Sequence, residues 1–130
     1  MWFEHAYGKE KIKFMFDNEL SLNGAECESI LFYDLSKLRI NFRTKHVPKK
    51  IPAKWDSQEF NALSVTLTLI GIDKLSLEGE RIGFECTPVI EKLSDRILFR
   101  VSNGDAFYLS CAAEVIVIDS VEPYLDQRWN

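Results

Sequence analysis

Recognisable catalytic and ligand-binding motifs are what this chain lacks. It contains no HExxH, GxSxG, GxGxxG or Walker-type loop, so the local signatures of zinc proteases, serine hydrolases, dinucleotide enzymes and P-loop enzymes are absent. Histidine is scarce: His5 and His46 stand far apart, and neither has metal-ligand spacing to a cysteine or carboxylate. Cysteine is scarce too. Cys27, Cys86 and Cys111 are odd in number and form no CxxC pair. Buried reduced thiols are the expectation, rather than a disulfide framework. No run approaches the ~18 apolar residues of a membrane helix. The opening Met1-Trp2-Phe3-Glu4-His5 lacks the basic region and apolar run of a secretory signal. The chain is therefore expected in the cytoplasm, with no catalytic residue, no metal and no cofactor.

What is present reads as one folded domain spanning residues 1–130. A hydrophobic fraction of 46% and an aromatic fraction of 12% exceed what a disordered chain carries. The net charge of −4 sets up a field that repels phosphates. That argues against nucleic acid as the main partner and suits a basic protein.

Hydrophobic periodicity predicts one helix followed by strands. Over Lys9–Phe16, Ile12 and Phe16 lie four apart with lysines between them, and Gly8 precedes. From residue 26 the period becomes two. Leu38, Ile40 and Phe42 alternate with charged or polar residues, as do Leu63, Val65, Leu67 and Leu69. Ile82, Phe84 and Cys86 form a further run, followed by Ile97, Phe99 and Val101, then Phe107, Leu109 and Cys111. Asn103-Gly104 predicts a two-residue type I′ turn between the last two. Val115-Ile116-Val117-Ile118 is apolar on both faces and predicts an interior strand. Asp34-Leu35-Ser36-Lys37 and Glu78-Gly79-Glu80 read as turns. Seven or eight short strands with short connections imply antiparallel pairing. The expected class is α+β, mostly antiparallel β: two β layers, as a sandwich or strongly curved sheet, with one short N-terminal helix.

Two surfaces invite a binding role. The stripe of residues 37–54 carries Lys37, Arg39, Arg43, Lys45, Lys49, Lys50 and Lys54. Such a stripe could track a phosphate backbone, although no stacking aromatics interleave it; a solvated strand face guarding a sheet edge is the plainer reading. Within it, Pro48 and Pro52 stiffen the connection and Trp55 pins its end onto the core. The second surface is acidic. With Cys27, Ser29, Leu31, Tyr33 and Leu35 on a core face, the opposite face presents Ile30 and Phe32 ringed by Glu26, Glu28 and Asp34. An apolar centre with a charged rim is how protein interfaces are built; cover from the N-terminal helix is the alternative.

Several features together carry a family resemblance. They are Met1-Trp2-Phe3 with a short helix after Gly8, and Asn23-Gly24-Ala25-Glu26 leading into a strand. The Pro48, Pro52 and Trp55 loop follows, then residues 63–69. Last come the turn Ile72-Asp73-Lys74-Leu75-Ser76-Leu77-Glu78-Gly79 and the late Cys111 before residues 115–118. In these the chain resembles the immunity protein 50 family of bacterial polymorphic-toxin systems. The lead-in at residues 23–26 keeps only the glutamate where an acidic residue or histidine is expected. The resemblance implies a non-enzymatic cytoplasmic protein that binds and blocks a cognate toxin domain, with a basic nuclease as a natural target. It makes Glu26, Glu28 and Asp34 the first candidates for partner binding, with Ile30 and Phe32 as apolar anchors. The competing expectations are a small nucleic-acid- or ligand-binding domain using the 37–54 stripe, and a homodimer formed by edge-strand pairing.

Overall fold

The computed structural model describes residues 1–104 and 106–129. Among these, one helix precedes nine strands. Helix α1 is Lys9–Phe16. The strands are β1 Ala25–Tyr33, β2 Lys37–Thr44, β3 Ala62–Ile70, β4 Asp73–Gly79, β5 Phe84–Cys86, β6 Val89–Leu93, β7 Arg96–Asn103, β8 Phe107–Ala113 and β9 Val115–Tyr124. One sheet has the order β5-β1-β2-β3-β9 and the other β4-β8-β7-β6. Every strand pairing is antiparallel. The class and two-layer architecture match the expectation.

Period-two patterning builds the core. Leu38, Ile40, Phe42, Leu63, Val65, Leu67 and Leu69 of the first sheet join Phe99, Val101, Leu109 and Cys111 of the second in one buried cluster. The Phe84 and Phe107 rings, 4.9 Å apart, tie the two sheets together at one end. All three cysteines are buried and free.

The helix lies over Lys9–Phe16 as predicted, burying Ile12 and Phe16. Gly8 starts it at φ 89°, and a Cβ there would sit 2.9 Å from the Ile118 carbonyl oxygen, so only glycine fits. Asp17 and Asn18 take left-handed backbone and end it, their N–H groups donating to the Lys13 and Ile12 carbonyls. Trp55 is 4% exposed and meets the Phe16 ring at 5.6 Å and the Phe60 ring at 5.8 Å. The proline-bearing loop is therefore anchored as expected.

Four local expectations need correction. Residues 72–79 are not a turn: they hold strand β4, in which Leu75 and Leu77 alternate with Lys74, Ser76 and Glu78 although all seven residues are exposed. The run at Ile82 shortens to Phe84–Cys86, with Ile82 exposed. Asn103 pairs with Phe107, so the hairpin loop is residues 104–106 rather than a two-residue turn; Asp105 lies outside the described residues. Finally, β9 is an edge strand, not an interior one. Its free side is capped by a bridge from Tyr7 to Val117, and the Lys11 ammonium donates to the Ile118 and Asp119 carbonyls.

Two strands of the first sheet carry one extra residue each. Cys27 faces Phe42 and Ser29 faces Asn41, leaving Glu28 unmatched. Thr66 faces Ser120 and Leu67 faces Ile118, leaving Asp119 unmatched. Each bulge switches which residues point inward.

Truncating Trp55 to alanine empties a site shared by α1 and the loop. Trp55→Ala is expected to cost about 3–5 kcal/mol, read as a lowered urea midpoint at constant slope.

Candidate functional site

The bulge at Glu28 decides where the predicted partner-binding residues go. Before it, Cys27 points into the core, fully buried. After it, Ile30 lies opposite Ile40 and Phe32 opposite Leu38, and both partners are buried. Ile30 and Phe32 therefore turn to the core side, whereas Leu31 and Tyr33 lie opposite Arg39 and Lys37 on the outer face. The predicted grouping of Glu26, Glu28, Ile30, Phe32 and Asp34 on one face does not hold. Glu26 and Glu28 stay on the outer face, and Asp34 sits in the β1–β2 turn. Ile30 is half-buried against the core, but Phe32 remains 40% exposed. The helix packs at Trp55, which leaves Phe32 accessible.

The outer face is a lattice of opposite charges laid over aromatic rings. Arg43 stacks its guanidinium 4.0 Å over the Tyr124 ring and lies 3.2 Å from the Glu28 carboxylate. Arg39 covers the Tyr33 ring at 5.1 Å, donates to its hydroxyl and lies 4.0 Å from Asp119. Thr68 donates its hydroxyl proton to that same Asp119. Lys37 pairs with Asp34 at 3.0 Å. The Asn41 amide donates to the Ser64 and Thr66 hydroxyls, each at 2.9 Å. The bulges thus place carboxylates beside the strand β2 cations. Exposed pairs of this kind contribute at most about 1 kcal/mol each, yet they offset the strand β2 part of the positive track a phosphate backbone would follow.

Beside the lattice, Arg128 bridges the buried Asp126 carboxylate at 2.5 Å and Glu26 at 2.7 Å. Hydrogen bonding from Arg128 lowers the Asp126 pKa from 3.8 to about 2. Asp119, Asp126 and Arg128 escaped sequence reasoning. They join the acidic strand from the far end of the chain, 102 residues away for Arg128 and Glu26, and no local pattern announces such a pair.

The β1–β2 hairpin tip is different in kind. Leu35 is fully exposed and held at φ 67° beside Asp34 at φ 51°, a conformation that disfavours a branched side chain. Phe32, Tyr33, Leu35, Lys37, Ile72 and Leu75 line an open cavity of about 400 Å³. The Ile72 N–H donates to the Ser36 carbonyl and holds the far wall in place. Leu75 and Leu77 of β4 add further exposed apolar surface. A strained, solvated leucine with apolar neighbours costs free energy and gives the isolated fold nothing in return, the usual mark of a contact surface.

The thiols are poor nucleophiles. Burial pushes Cys27 and Cys86 up to about 12 and Cys111 to about 11, so all three stay protonated at neutral pH. Among the described residues, no group of three or more His, Cys, Asp or Glu side chains could hold a metal ion, and no helix is long and apolar enough to cross a membrane.

Because the Asp126 pKa is depressed, its contribution is present above pH 3.8 and fades as pH falls toward about 2. Asp126→Asn is therefore expected to lose less stability than the parent chain across that window, measured by urea midpoints. Leu35→Gly relieves the left-handed strain and is expected to raise stability by about 1 kcal/mol, measured the same way.

No curated protein and no solved structure matches the chain. Residues 8–124 match the family described as Immunity protein 50, spanning helix, both sheets and the hairpin tip, and the chain belongs to that family.

Proposed function

We propose that this protein binds a cognate bacterial toxin domain in the cytoplasm and neutralises it without catalysis, as the immunity half of a polymorphic-toxin system used in contact-dependent inhibition. Membership of the immunity protein family is the observation that carries this reading. The hairpin tip supports a location for it. Phe32 serves as the apolar anchor with Leu35 beside it, and Asp34 stands at the charged rim. Ile30 supports Phe32 from the core side, while Glu26 and Glu28 stand on the outer face, paired with Arg128 and Arg43. Apolar anchors supply most of the binding energy in such interfaces, and rim charges mainly set association rate and partner choice. With a net charge of −4, a basic nuclease domain is an electrostatically favourable target. Binding over its active site would block it by occlusion.

The alternative, a nucleic-acid- or ligand-binding domain using residues 37–54, loses ground to the lattice. Lys37, Arg39 and Arg43 each face a carboxylate.

The test is co-expression with the toxin domain encoded beside this chain. Growth is expected to be rescued, and the purified pair to form a one-to-one complex. The double variant Asp34→Lys, Leu35→Lys is expected to weaken that complex by about tenfold or more. Failure of the parent chain to protect would sink the proposal.

A further inference from the structure

A sandwich of two open sheets has four outer edges, and three of the four here are guarded. Edge β9 is capped by Tyr7 and carries Pro123. Edge β6 is five residues long, follows Pro88 and carries Glu91 and Lys92. Edge β4 is broken by a register shift between Asp73 and Ser76, with Lys74 in left-handed backbone. These are the usual defences against unwanted strand addition.

The fourth edge is only partly closed. Strand β5 pairs with β1 over Ala25, Glu26 and Cys27 alone, and the Gly83 N–H adds one bond to the Cys27 carbonyl. Past the bulge, Ser29-Ile30-Leu31-Phe32-Tyr33 has no strand neighbour on that side among the described residues. It carries no charge and no proline, and aromatic and branched side chains dominate it. By composition it is a strand built to be paired.

We infer that residues 29–33 of β1 are a strand-addition site, and that the occupant is an extended segment of the partner toxin with uncharged, β-favouring residues at its centre and a lysine or arginine near each end. The inference rests on the toxin-neutralising reading above and names its mode of contact.

Charge selects this occupant over a second copy of the chain. Antiparallel self-pairing that matches all five uncharged residues must centre on Leu31. It would set Ser29 against Tyr33, Ile30 against Phe32 and Glu28 against Asp34. Two carboxylates would then meet at each end of the pairing, and the cations beside them, Arg43 and Lys37, are already matched one to one with Glu28 and Asp34 in each copy, so self-pairing adds like charge and no counter-charge. A heterologous strand with basic ends brings no such carboxylate pair and reaches the exposed sides of Glu28 and Asp34, which Arg43 and Lys37 leave open. Its backbone would continue the five-stranded sheet in the row that β5 begins. Its alternate side chains would meet Leu31 and Tyr33 on one side and Phe32 on the other, next to the cavity shared with Leu75. Backbone pairing supplies affinity in this mode, and the pockets supply choice of sequence.

Amide hydrogen exchange of this protein, alone and with the toxin domain encoded beside it, tests the inference. In the complex the amides within residues 29–33 that point away from β2 are expected to exchange at least about tenfold more slowly, while those of Val89–Leu93 at the guarded β6 edge stay unchanged. Leu31→Lys places a charge on the open edge and is expected to weaken binding by about tenfold or more with the fold intact by circular dichroism. A tight complex without protection at residues 29–33, or with Leu31→Lys binding as the parent does, overturns strand addition and leaves neutralisation standing. Absence of any complex overturns neutralisation itself, and the strand-addition site falls with it.

Discussion

A β-strand with one dehydrated face has no freedom of phase: one inserted residue exchanges inside for outside. The five-stranded sheet uses that rule twice. Glu28 in β1 and Asp119 in β9 are the inserted residues, and both are carboxylates on the outer face beside the cations of β2. Arg43 and Arg39 can therefore sit over the Tyr124 and Tyr33 rings with counter-charges alongside. The first insertion also turns Phe32 toward the core side of the sheet. The bulges thus set both the neutrality of the sheet face and the apolar character of the hairpin end.

The inner cluster is closed to water, with Leu38, Ile40, Phe42, Phe99 and Leu109 all at 0% exposure. At the hairpin end the two sheets no longer cover one another. Phe32 from one and Leu75 and Leu77 from the other remain partly wet, and Leu35 holds a backbone conformation that glycine would adopt more readily. Stability alone would favour glycine at that tip. The tension between what the fold prefers and what the surface displays is concentrated there.

The sequence was legible wherever one face met the core. Helix α1 and the alternation of β2, β3, β7 and β8 follow from apolar periodicity, and the anchoring of Trp55 from a large aromatic closing a proline-stiffened loop. Strand β4 was read as a turn although Leu75 and Leu77 alternate with polar residues; the run is short, ends in Gly79 and buries neither face. The interior placement of β9 failed because its apolar outer residues, Val115 and Val117, are only half-buried at an edge closed by Tyr7. The acidic cluster was read on the wrong assumption of unbroken phase. Nothing local marks Glu28 as an inserted residue, and nothing local ties Glu26 to Arg128. Both depend on partners that the fold brings from elsewhere in the chain.

The lock between the first and last elements bears on the order of events during folding. Lys11 reaches carbonyls 107 and 108 residues further along, and Tyr7 closes the β9 edge. During synthesis, α1 emerges long before the strand against which it docks. Non-local pairing of this kind slows folding, because chain closure is unfavourable until the distant contact forms. Until β9 arrives, the outward edge of β3 is exposed as well, so a nascent or truncated chain carries a second sticky border that the finished protein conceals.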